Sequence, residues 1–146
     1  MDTPPPFRAT RRSLPIALLR ARETVMGPIR EMLSGSGVNE QKWRVLRVLE
    51  ETGPMEQTAI AAEACLLLSS LTRMLQTMEA DGLVTRAADP ADRRRSIVTI
   101  APGGRALIAA HAAQSAAIFA RLEAEYGPDK LEALLDLLED LRRVRF

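Results

Sequence analysis

Ser69, Thr72, Arg73 and Gln76 recur three or four positions apart, and Arg93, Arg94 and Arg95 stand in an unbroken row after Asp92. Side chains at that spacing share one face of a helix. Hydroxyl, guanidinium and amide groups are the types that bond phosphate oxygens and the edges of bases. Three adjacent guanidinium groups repel one another, and a hairpin has no structural need of them unless an anion is the partner. Two readings follow from spacing alone. One is a nucleic-acid-binding helix with a basic hairpin beside it; the other is an amphipathic helix with a solvated, charged hairpin. The arginine row favours the first.

These side chains need a scaffold, and the flanking residues supply one. Leu71, Met74, Leu75 and Met78 follow i, i+3, i+4, i+7 and give the same helix an apolar stripe. Gly82 stands where a helix stops on a left-handed residue. Residues 83–86 and 96–100 read as two strands, Asp89-Pro90 starts the turn between them, and Asp92–Arg95 occupies its exposed end. A helix able to lie in a major groove, followed by a basic hairpin able to reach the next groove, is a winged helix-turn-helix. The expected fold class is mainly α with a small β-wing, flanked by N- and C-terminal helices.

The wing motif resembles that of the MarR family, whose pattern is Asp-x-Arg, an aliphatic pair, then Leu-Thr-x-x-Gly. The matching positions are Asp92, Arg94, Val98, Ile100, Ala101 and Gly104, and Arg86 and the Asp81-Gly82-Leu83 turn fit as well. Ala101 departs from the usual Thr, a helix cap worth about 1 kcal/mol; Pro102 at the first helical position partly compensates. The strings IALLRARETVMGPIRE, NEQKWRVLRVLEETGPME and ACLLLSSLTRMLQTMEADGLV extend the likeness over about residues 14–145. There the chain looks like the homoprotocatechuate-degradation regulators, a subgroup of that family. Leu68-Ser69 stands where the subgroup has Arg-Pro, and Arg73 where it has a small residue, so the operator sequence is expected to differ.

The rest of the chain suits one domain. Its 146 residues can enclose a core, and 47% apolar and 27% charged residues are globular values. The net charge is +1, but residues 69–105 carry six arginines against four acids, whereas residues 106–146 carry five basic against seven acidic residues. The positive excess lies on the proposed DNA-facing part. Residues 1–12, Pro- and Arg-rich without periodicity, read as a flexible arm, either gripping phosphate or simply a tail. Residues 13–146 form one domain, with 13–38 and 102–146 as dimerisation helices around the winged helix-turn-helix of 39–101.

Within it, a first helix spans 13–33 with Ser13 as cap and a broad apolar face that includes Arg22. A second starts at the Asn39 cap, and a short third covers about 56–64. After the wing, a long helix runs from Pro102 to about residue 126, and a last one covers 129–144. Leu131, Leu134, Leu135, Leu138 and Leu141, with Leu137 beside them, give the last helix a wide stripe that suits a helical dimer interface. Burial of the stripe within one chain is the alternative.

The resemblance implies a homodimeric repressor, with each recognition helix in a major groove of double-stranded DNA and each wing in the flanking minor groove. Two-fold symmetry then implies an inverted-repeat operator with half-sites about one helical turn apart. In this picture Ser69 or Ser70 caps the helix and contacts phosphate. Thr72, Arg73 and Gln76 read base edges, Arg73 being suited to guanine. Arg94 enters the minor groove, Asp92 orients it by an ion pair, and Arg93 and Arg95 hold the backbone. The subgroup implies a small phenolic or aromatic-acid effector, such as homoprotocatechuate or 4-hydroxyphenylacetate, and regulation of its catabolic operon. A site for it needs apolar walls and a cation; Arg22, Met26, Trp43 and Arg47 are the candidates. Against this, Trp43 is core and both arginines pair with nearby acids.

Other classes find less support. The single cysteine, Cys65, sits among Ala and Leu and reads as a small buried hydrophobe, with redox sensing as the lesser alternative. His111, the only histidine, reads as a surface residue. One His and one Cys make a metal site improbable, no cofactor is implied, and no glycine-rich phosphate loop, nucleophile elbow or His–carboxylate arrangement points to an enzyme. No apolar run reaches the ~18 residues of a membrane span, and charges follow Arg11-Arg12 too soon for an export signal, so a cytoplasmic location without membrane partner is expected. A MarR-type regulator of an antibiotic, stress or redox response, and a dimeric module whose wing binds some other acidic partner, remain the competing functions.

Overall fold

The computed structural model describes residues 7–146. Residues 1–6 of the proposed arm lie outside the described residues; within the rest of it, Thr10–Arg12 form a single 3-10 turn. Helix α1 spans Leu14–Leu33 and runs through Pro28. Ser13 precedes it, but its side chain makes no capping bond, and Pro15 in the first turn supplies the helical start instead. Helix α2 covers Glu40–Thr52, with Asn39 Oδ1 accepting from the Lys42 N–H at 2.9 Å, and it ends at Gly53 in left-handed geometry, φ +87°.

A two-residue strand, β1 at Met55–Glu56, then leads into α3 at Gln57–Glu63 and α4 at Leu68–Ala80. Strand β2 is Val84–Ala88, β3 is Ser96–Ile100, and α5 and α6 cover Pro102–Tyr126 and Pro128–Arg142. The wing is therefore an antiparallel sheet of three strands in the order β1-β3-β2, not the two read from the sequence. Met55 faces Val98 on one side of β3, and Val84 faces Ile100 on the other. Two residues after a Gly-Pro turn are too few to show a period-2 pattern, which is why β1 escapes a pattern reading.

The core lies in the winged part. Val45, Leu46, Leu49, Ile60, Leu71, Leu75, Met78, Val84 and Val98 are fully buried where α2, α3, α4 and the sheet meet. The start of α5 is locked to this core. The Ala101 N–H donates to Leu83 O at 2.9 Å, and Gly103 and Gly104 bring the helix against the Gly82–Leu83 turn. A Cβ on Gly103 would lie 2.6 Å from Gly82 O, and one on Gly104 would meet Leu83 O and Ile100. Backbone contact thus stands in for the side-chain cap that Ala101 lacks.

The outer helices are left with open apolar faces. Helix α6 buries no residue, and Leu135, Leu137 and Val144 are at least half exposed, as are Leu14 and Leu19 of α1. The stripes of α1 and α6 are thus not closed within one chain. No single helix among the described residues is long and apolar enough to cross a membrane.

Candidate nucleic-acid interface

Helices α3 and α4 meet at 110°, within the range of helix-turn-helix units. Helix α4 is anchored by Leu71, Leu75 and Met78, so the opposite face carries Ser69, Arg73 and Gln76 into solvent. Its end is fixed by a Schellman pattern, in which the Leu83 N–H donates to Met78 O and the Gly82 N–H to Glu79 O, with Gly82 at φ +74°. The start differs from expectation. The N-cap is Leu67, with no side-chain capping bond; Ser69 and Ser70 lie one and two residues inside the helix, exposed. Thr72 is half-buried at the flank, where its hydroxyl donates to Leu68 O at 2.9 Å and accepts from Gln57 Nε2 at 2.5 Å.

At the wing tip, the Asp89 N–H donates to Arg95 O and the Arg95 N–H to Asp92 O, closing the turn. Asp92 accepts from the Arg94 backbone N–H, Nε and Nη2 at 3.1, 3.1 and 3.2 Å. The Arg94 side chain nevertheless stays 91% exposed. The guanidinium and then the backbone N–H of Arg94 hold the Asp92 carboxyl below its ordinary value, against a smaller desolvation effect. Arg93 is exposed, while Arg95 lies 3.7 Å from both Glu56 and Asp92. Behind the tip, Arg86 of β2 donates through Nη2 and its backbone N–H to Glu79 of α4, which ties wing to helix.

Arg22, Met26, Trp43 and Arg47 line one cavity of about 590 Å³, walled by α1, α2 and α5. That volume is ordinary for a small-molecule site. Arg22 is committed to Glu40, 18 residues along the chain, at 2.9 Å; Glu40 also takes Arg30, which binds Glu23 at 2.6 Å. Arg47 has no ion-pair partner among the described residues, and Arg44 Nε on the same wall is buried without a hydrogen-bond acceptor. Sequence reading missed Arg44. The signal was present, because Glu40, Trp43, Arg44 and Arg47 follow one i, i+3, i+4, i+7 stripe.

Two other residues depart from expectation. His111 is half-buried, with its ring edge on Trp43 at 5.7 Å and Nδ1 on Leu107 O at 2.9 Å, so that nitrogen carries the proton. Cys65 is exposed rather than buried, at φ +55° in the turn between α3 and α4.

The model of the MarR family matches residues 38–96. The homoprotocatechuate degradative operon repressor of Escherichia coli is 37% identical over 128 residues, covering 88% of this chain and 86% of the relative. Among solved structures, NadR in complex with 4-hydroxyphenylacetate superposes with a TM-score of 0.82 at 31% identity, over 96% of this chain and 99% of that one. CouR, a transcriptional repressor bound to a 23-mer DNA duplex, gives 0.80 at 30% identity, over 90% and 93%.

Proposed function

The chain belongs to the MarR family of transcriptional regulators, and from that premise we propose that it is a homodimeric repressor of an aromatic-acid catabolic operon. It releases DNA when a small aromatic carboxylate binds, works on DNA in the cytoplasm and has no enzymatic role. The exposed face of α4, with Ser69, Ser70, Arg73 and Gln76, enters the major groove. Arg94, oriented by Asp92, enters the flanking minor groove, and Arg93 and Arg95 contact phosphate. The open leucine faces of α1 and α6 are the dimer surface, and two-fold symmetry sets an inverted-repeat operator.

The observation that carries the effector reading is the cavity, where the Trp43 indole, the Arg44 Nε that has no acceptor among the described residues, and the exposed Arg47 guanidinium meet apolar walls. An aromatic ring packs against Trp43 and Met26, and its carboxylate accepts from Arg47 and Arg44. Arg22 is the weaker cation because Glu40 already holds it. Supporting this reading, the curated relative represses a homoprotocatechuate operon and NadR was solved with 4-hydroxyphenylacetate.

Trp43 is the only tryptophan, so its fluorescence reports on the cavity directly. Titration with homoprotocatechuate and 4-hydroxyphenylacetate is expected to shift or quench that emission saturably, and Arg47→Ala to weaken the response. An unchanged emission with both acids would refute the effector class.

A further inference from the structure

Thr72 cannot donate to a base edge. Its one hydroxyl proton is spent on Leu68 O at 2.9 Å. The amide group of Gln57 that faces it must therefore be the NH2, which donates to Thr72 Oγ1 at 2.5 Å. The hydroxyl is thus held between the backbone of its own helix and the start of α3. The other substituent on the same Cβ is the methyl group, which takes no part in these bonds and is the remaining group that the half-buried Thr72 can offer a base edge. One turn earlier on the same edge, the apolar side chain of Leu68 is 45% exposed.

We propose that Thr72 recognises the C5-methyl of a thymine by apolar contact, and that Gln57 is the positioning residue that fixes its rotamer. The inference rests on α4 being the recognition helix. The thymine methyl is the apolar feature among the base edges of the major groove, and a Thr methyl matches it. Leu68 widens the apolar strip beside that contact. Specificity at this step is then a matter of one buried methyl pair per half-site, and the hydroxyl serves the fold.

The test uses the full chain and a duplex enriched by it from a random pool. Each thymine is replaced in turn by deoxyuridine, which removes only the methyl. At one thymine per half-site, wild-type affinity is expected to fall about threefold to fivefold. Thr72→Ser keeps the hydroxyl and should bind thymine and deoxyuridine duplexes equally at that site. Thr72→Val keeps a methyl and should retain the preference, while Gln57→Ala should reduce it. Melting curves confirm that each variant is folded. Indifference of the wild type to every replacement overturns the inference while leaving DNA binding intact. So does the reverse pattern, with Ser retaining the preference and Val losing it. A pool that yields no enriched sequence overturns the recognition-helix reading itself, and this inference with it.

Discussion

Asp92 grips Arg94 at three points, one backbone and two side-chain N–H groups, yet leaves that guanidinium 91% exposed at the wing tip. The aspartate therefore removes rotamer freedom from a cation that still faces outward. Arg94→Ala should weaken operator binding tenfold or more and lower the slope of log K against log salt by about one per protomer. Asp92→Asn should also weaken binding but keep the slope, because the cation remains and only its orientation is lost. Titrations at several salt concentrations separate the two.

The cavity arginines should act on the effector and not on DNA. Arg47→Ala and Arg44→Ala each remove a charged donor, worth about 1.5–3 kcal/mol to a carboxylate. Effector affinity should drop roughly tenfold to a hundredfold, with operator affinity unchanged in the absence of effector. Calorimetry measures the first and anisotropy the second.

The leucine face of α6 should govern assembly. Leu135→Glu combined with Leu138→Glu places two charges on an exposed apolar stripe. Light scattering should then report a monomer where the wild type is a dimer, and operator affinity should fall because one half-site binds alone.

Gly104→Ala reverses the usual helical preference. Alanine ordinarily gains about 1 kcal/mol over glycine inside a helix. Here the added Cβ would press on Leu83 O, Ile100 and Leu46, none of which is a free side-chain end in solvent. A net loss of about 1–3 kcal/mol is expected, a fall in Tm of roughly 3–12 °C by calorimetry.

Acid should loosen the ion pair that Glu23 and Arg30 form along α1. Glu23 lies below its ordinary 4.5, chiefly through the hydrogen bonds from Arg30, with desolvation opposing and the charges of Arg30 and Arg22 assisting. A depressed carboxylate contributes stability that is present above its unfolded value and lost as pH falls through the folded one. Its share should therefore be complete at neutral pH and decline as the pH falls below about 4.5 toward the lower folded value. Glu23→Gln should flatten that acid limb of Tm against pH, and added salt should shrink the difference, since the pair is exposed.

Much of this was legible in the sequence. The stripe of Leu71, Leu75 and Met78, the Gly82 stop, the Asn39 cap and the Pro102 start are local signals, and each marks an element where expected. What escaped was short or long-range. Strand β1 has two residues, and only its pairing with β3 makes it a strand. The expectation that Ser69 or Ser70 caps α4 failed because the helix starts at Leu68. Glu40 is 18 residues from Arg22, beyond any spacing rule. The alanines and leucines around Cys65 suggested burial, but the tight turn between two helices turns it outward. Thr72 looked like a donor to bases because its type allows it; only the contact with Gln57 across the motif reveals where its hydroxyl goes.

The most direct measurement is fluorescence anisotropy on labelled DNA from upstream of the chain's own gene, with random duplex as control and homoprotocatechuate present or absent. Tight, salt-sensitive binding to the upstream DNA is expected, released by the acid and weakened by Arg94→Ala. Equal affinity for both duplexes, indifferent to the acid and to Arg94→Ala, would contradict the assignment of a sequence-specific, effector-released repressor.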